Sequence, residues 1–157
     1  MNEKMVVTEE MTQSSKNVST LVFTGRIYNH KKIREKFPDA LLVSVMRKPW
    51  RYATRDIVTL KELGPPGKLL SYAHDHVDAE GQDLVNLQAY YTAEYFKHLN
   101  GNGDAKRELS GLEHLMDTHE KVVLLCHEYS GEFCHRHLLR YFVVDDWDYM
   151  NGGEIVT

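Results

Sequence analysis

The sequence predicts a Rossmann-like α/β domain, a mainly parallel sheet flanked by helices. Three observations carry this. The runs Ala40-Leu41-Leu42-Val43-Ser44-Val45 and Lys121-Val122-Val123-Leu124-Leu125-Cys126 are short and almost unbroken in hydrophobicity, as strands covered on both faces are. The stretches between such runs repeat apolar residues at steps of three and four, the helical period. Strands that alternate with helices are joined by crossovers, and crossovers give parallel pairing.

Along the chain, residues 1–18 are polar and aperiodic and read as a flexible tail, followed by a single α/β domain over 19–149. Thr20-Leu21-Val22-Phe23 reads as a first strand, closed by Thr24-Gly25. His30 to Lys36 is a short charged helix, stopped before Pro38. The strand at 40–45 ends in Arg47-Lys48-Pro49-Trp50, where proline prevents ladder pairing. Residues 56–63 are expected to be helical and to end at Gly64-Pro65-Pro66; 68–74 fits either a helical turn or a short strand. Leu84, Leu87, Tyr91, Tyr95 and Leu99 form the stripe of a long helix. Asn100-Gly101-Asn102-Gly103 should stop it with a left-handed glycine cap, and Asp104 should cap the next helix. After the 121–126 strand and a loop, Cys134 to Val143 reads as a helix. Residues 150–157, with Asn151-Gly152-Gly153, read as a C-terminal tail.

Composition excludes several function classes. Hydrophobic residues make up 42% and charged residues 27%, which argues for a packed core over disorder. A net charge of -4 disfavours broad electrostatic binding to nucleic acid, although a local basic pocket stays compatible with it. No apolar run approaches the length that crosses a bilayer, so no membrane partner is expected. The N-terminus lacks the apolar core of a secretory signal, and two cysteines are too few for a disulfide framework, so a cytoplasmic location is the expectation.

In open parallel sheets, ligands bind outside the carboxyl ends of the strands. Here those ends carry Gly25, Arg26 and Tyr28; then Arg47, Trp50, Arg51 and Tyr52; then Cys126, His127 and Glu128. A helix start at Cys134-His135-Arg136 joins the same rim, where the helix dipole favours anions and can stabilise a thiolate. Each cluster also has a plainer reading: loops are polar, and cysteine is often an inert buried residue. A phosphatase loop would need arginine five residues after the cysteine, but those positions hold Glu132 and, inside the helix, Arg140. The cysteines are too far apart in sequence for a Cys-x-x-Cys redox pair. Cys126, Cys134, His135 and His137 are chemically suitable zinc ligands, yet their spacing fits no closed structural site, so no metal is expected. Gly25 stands alone after the first strand, so no dinucleotide fingerprint exists and no cofactor is expected.

The stretch Val123-Leu124-Leu125-Cys126-His127-Glu128, followed by Phe133-Cys134-His135-Arg136-His137-Leu138-Leu139, resembles the signature of the uncharacterised domain-of-unknown-function 488 family. That signature is an apolar strand ending in Cys-x-Glu, a short loop, and a helix opening with Cys-His-Arg. Thr24-Gly25-Arg26 and the Arg47-x-Pro49 turn resemble the family more weakly. The resemblance implies a Rossmann-like domain of bacterial or phage type. It selects Cys126, Glu128, Cys134, His135 and Arg136, then Arg26 and Arg47, without supplying a known reaction.

Three function classes stay open. In the first, Arg26, Arg47, His135 and Arg136 hold a nucleotide-like ligand or a nucleic-acid end, with Trp50 or Tyr52 stacking on a base. In the second, the protein is an enzyme acting on a nucleotide or nucleic acid: Cys126 or Cys134 is the nucleophile and Glu128 the general acid or base. In the third, it is a non-catalytic phage factor that binds a host protein. The seven-residue connection predicts that Cys126 and Cys134 lie near each other, unbonded, with Glu128 competing with the thiols for Arg136.

Overall fold

The computed structural model describes residues 20–48, 55–128 and 132–157. The segment read as an N-terminal tail lies outside these residues, as do Pro49, Trp50 and Tyr52. Strands β1 (Leu21–Arg26), β2 (Leu41–Ser44), β3 (Ile57–Thr59), β4 (Lys121–Cys126) and β5 (Met150–Ile155) form one sheet in the order β3-β2-β4-β1-β5. Every pairing in it is parallel. The helices are α1 (His30–Lys36), α2 (Gly67–Asp75), α3 (Gly81–Gly101), α4 (Gly103–Met116) and α5 (His135–Trp147). The fold is the Rossmann-like α/β arrangement that the apolar runs predict.

Both faces of the sheet are covered, which is why β2 and β4 are continuously apolar. Val122 and Leu124 of β4 pack with Leu69, Tyr95, Leu112 and Leu139 from α2, α3, α4 and α5. Val123 and Leu125, on the opposite face by the period of two, pack with Leu42 and with Ile33 of α1. The long helix therefore buries Tyr91, Tyr95 and Leu99, while Leu84 and Tyr90 nearer its start stay exposed.

This topology positions the site. β1 and β4 are neighbours, and Arg26 stands in register with Cys126 at their carboxyl ends. From β1 the chain leaves through α1 toward β2; from β4 it leaves through α5, on the other face, toward β5 at the far edge. Departures in opposite directions from adjacent strands open a crevice at their carboxyl ends.

The structure corrects four sequence expectations. Residues 56–63 are not a helix: Ile57, Val58 and Thr59 pair with β2 as β3, and only Lys61–Leu63 turns helically. Three β-branched residues and an available sheet edge override the helical spacing. α3 continues through Gly101, and neither Gly101 nor Gly103 is left-handed. Asn102, and not Asp104, caps α4, its side chain accepting from the Ala105 N–H at 3.0 Å. Residues 150–157 contain a strand and not only a tail. A Cβ on Gly152 would lie 2.6 Å from the Phe23 ring, and Gly153 takes φ 84° beside the register shift at Val22/Phe23. These glycines serve a close approach and a bulge.

Candidate functional site

Cys126 is the last residue of β4, and Cys134 is the residue from which α5 starts. Cys134 has extended backbone (φ -154°, ψ 145°), and its side chain does not cap the helix. The thiol turns instead toward Glu128. Cys134 Sγ donates to Glu128 Oε1 at 2.9 Å, and Cys126 Sγ donates to the same oxygen at 3.1 Å. One carboxylate oxygen thus gathers two buried thiols. Both cysteines are unbonded, near each other, as the length of the connection predicts.

His135 closes the cluster from behind. Its Nε2 lies 2.6 Å from the Val45 carbonyl and 4.0 Å from Cys126 Sγ, and its Nδ1 lies 3.7 Å from Cys134 Sγ. The Val45 carbonyl accepts a hydrogen bond only from a protonated Nε2, which sets the ring's orientation. On the open side, His127 Nε2 is 3.1 Å from Glu128 Oε2, and the two side chains are 54% and 29% exposed. These two side chains are the more exposed members of the cluster, whereas both thiols are buried.

A family model described as the active DUF488-N3 subclade, DUF488-N3a, matches residues 25–146. The chain belongs to this DUF488 family. No curated protein and no solved structure matches it significantly. The cysteines, Glu128, His135 and Arg136 of this DUF488-N3a chain all fall inside the matched span.

Arg136 has no exposed surface. Its Nη1 is 4.0 Å from Glu128 Oε1, but its stronger partner is Glu154 of β5, with Nη2 to Oε2 at 2.8 Å and Nε to Oε1 at 3.4 Å. The competition between Glu128 and the thiols for Arg136 is therefore decided by a carboxylate from β5. Thr24 of β1 donates its hydroxyl to Glu154 Oε1 and accepts from Arg140 Nη1 at 2.6 Å. His137 Nδ1 stands 3.4 Å from that hydroxyl.

Burial pushes the Cys134 thiol well up, with a further push from the Cys126 contact, so it stays protonated. Burial would also raise Glu128, but the hydrogen bonds from Cys134 and Cys126, with the His127 charge, outweigh it and hold the carboxyl below its ordinary value. His135 shows the converse. Burial opposes its charge, yet the neighbouring Cys134, the Val45 carbonyl and Glu128 raise its pKa and favour an imidazolium. Burial, then Cys134, Cys126 and Glu128, push the Tyr91 phenol up, so α3 presents a neutral hydroxyl to this cluster.

The sequence-predicted residues separate into two groups. Cys126, Glu128, Cys134, His135 and Arg136 come together. Arg26 borders them, its Nε donating to the His127 carbonyl at 3.2 Å and its guanidinium lying 4.7 Å from the Tyr28 ring centre. Arg47 is committed elsewhere: Nη1 pairs with Glu62 at 2.7 Å, while Nε and Nη2 donate to the Pro65 and Gly64 carbonyls at 3.0 and 3.1 Å. Trp50 is outside the described residues. Thr24, Tyr91, Arg140 and Glu154 were not singled out for the site by sequence reasoning. The spacing of Arg136 and Arg140, one helical turn apart, was the available signal for the second arginine. Among the described residues, ligand atoms of Cys126, Cys134 and His135 lie within 4.8 Å of one another, as do those of Cys126, His127 and Glu128. A thiophilic cation would find donors there; in this arrangement the thiols bond Glu128 instead.

Proposed function

We propose that the protein is a thiol- and carboxylate-dependent enzyme acting on a nucleotide-like anionic substrate. The observation that carries this reading is the shared acceptor: Glu128 Oε1 takes hydrogen bonds from both Cys126 and Cys134. A carboxylate in contact with a thiol is placed to take its proton during attack. In this reading Cys126 is the nucleophile, and Cys134, whose thiol burial pushes up, is the donor that positions Glu128. Cys126 Sγ also lies 4.0 Å from Nε2 of the His135 ring, which the Val45 carbonyl holds in place.

In the proposed reaction Cys126 gives its proton to Glu128 as its sulfur bonds to an electrophilic carbon. The bond to the leaving group breaks, the electron pair departs with that group, and Glu128 returns the proton to it. Water, deprotonated by Glu128, then displaces the sulfur, which recovers the proton. The description of the matched family model as an active subclade supports an enzyme over a passive binder. The commitment of Arg47 to Glu62 and of Arg136 to Glu154 weakens a reading in which a rim of arginines alone holds an anion.

The test is incubation of the full chain with a panel of nucleotides and nucleosides, with products and covalent protein adducts followed by mass spectrometry. Turnover should vanish in Cys126→Ser and fall about a hundredfold or more in Glu128→Gln. Turnover that survives both substitutions, or its absence across the panel, would sink the proposal.

A further inference from the structure

We propose that α5, β1 and β5 form a phosphate subsite beside the thiols, with Arg140 and His137 as its walls and Thr24 as its floor. This deepens the enzyme reading and rests on it for the substrate's remaining atoms: the ligand class is a phosphate monoester whose phosphate docks here.

Arg140 is half-buried, and among the described residues its guanidinium makes one hydrogen bond, from Nη1 to Thr24 Oγ1. A guanidinium has five N–H donors, so most of its capacity is open. The carboxylate that would ordinarily answer it is already used: Glu154 binds Arg136 through both oxygens and accepts from Thr24. A partly desolvated cation that shares its acid with a second arginine is costly unless an anion completes it. Burial holds the Arg140 pKa down, against the Glu154 charge and with a further push from Arg136; burial and then Arg136 also hold His137 down, again against Glu154. The side chain of His137 is 25% exposed, so the subsite opens to solvent. A guanidinium fork beside an imidazole that gains a proton on binding suits a phosphate dianion.

The spacing joins this subsite to the thiols. Arg136 stands between them, 4.0 Å from Glu128 on one side and 2.8 Å from Glu154 on the other. Arg140 lies one turn further along α5, about 6 Å along the axis. A phosphate monoester anchored on Arg140 is therefore separated from Glu128 by little more than the buried Arg136 side chain.

Inorganic phosphate is the probe. Calorimetry gives its affinity, and NMR follows the His137 imidazole, which is faced by Arg136, Arg140, His135 and Glu154. Phosphate should raise the His137 pKa. Arg140→Met should weaken binding at least tenfold, and Arg140→Lys, which keeps the charge, should weaken it less. A Cys126→Ser/Cys134→Ser double variant should bind phosphate as the parent does. Equal affinity in the parent and a folded Arg140→Met, or in the parent and Arg140→Lys if Met does not fold, together with an unmoved His137, overturns the subsite; so does absence of phosphate binding to the parent. Arg140-dependent phosphate binding without any thiol-dependent turnover leaves the subsite standing and removes the enzyme reading, whereas turnover without phosphate binding does the reverse.

Discussion

Glu154 on β5 neutralises Arg136 on α5, with Nη2 and Oε2 2.8 Å apart and the arginine shut off from solvent. The pair ties an edge strand to the helix that carries Cys134 and His135. Removing only the acid leaves a buried guanidinium uncompensated. Glu154→Ala is therefore expected to cost about 3 kcal/mol in urea unfolding. Arg136→Met in the same background should recover part of that loss. A cost below about 0.5 kcal/mol, the level of an ordinary surface change, would show that the pair is not needed.

Gly152→Ala tests how β5 docks. Its new methyl group would stand 2.6 Å from the Phe23 ring. A loss of about 1–3 kcal/mol is expected from such overpacking, and Phe23→Leu should offset some of it. Thermal unfolding of the two single variants and the double variant reads the coupling. Additive losses would mean that the contact is not formed.

These two glycine and glutamate positions also show where sequence reasoning stops. β4 and α1 were legible because an apolar run and a charged turn before proline each state a local preference. Cys126, Glu128 and Cys134 were legible as neighbours because a short loop must return the chain from a strand end to a helix start. β5 was not, since Asn151-Gly152-Gly153 has the composition of a turn and gains its strand pairing only from β1. With β5 missed, Glu154 could not be recognised as the partner of Arg136. β3 was missed for the same kind of reason: three residues carry little period, and the edge of β2 decides their state. Arg47 looked like a rim arginine from its place after β2, but its choice of Glu62 depends on the return of a loop fifteen residues later in the chain.

Arg47→Ala should behave as a stability variant. It deletes an ion pair with Glu62 and two hydrogen bonds to the Pro65 and Gly64 carbonyls. A loss of about 2 kcal/mol is expected from the unsatisfied partners, with phosphate affinity unchanged at a temperature where the variant is folded. A variant of parental stability that lost anion binding would restore Arg47 to the ligand site.

Glu128 should shape the acid limb of stability. Its carboxyl is held below the ordinary value in the folded chain, so it contributes stability above the unfolded-state pKa, about 4.3. That contribution is lost as pH falls from there through the lower folded value. Melting temperatures measured from neutral pH downward should therefore fall less steeply in Glu128→Gln than in the parent. Parallel curves would mean that the thiol hydrogen bonds do not favour the carboxylate.

The convergence of Cys126 and Cys134 on one oxygen is tested most directly by a trivalent arsenical, phenylarsine oxide, which bonds two adjacent thiols and releases water. Intact-protein mass spectrometry should show one arsenical per chain, with both thiols then unreactive toward alkylation. Cys126→Ser and Cys134→Ser should each abolish the stable adduct, and Glu128→Gln should retain it. An unbridged chain whose two thiols are alkylated independently would contradict the account.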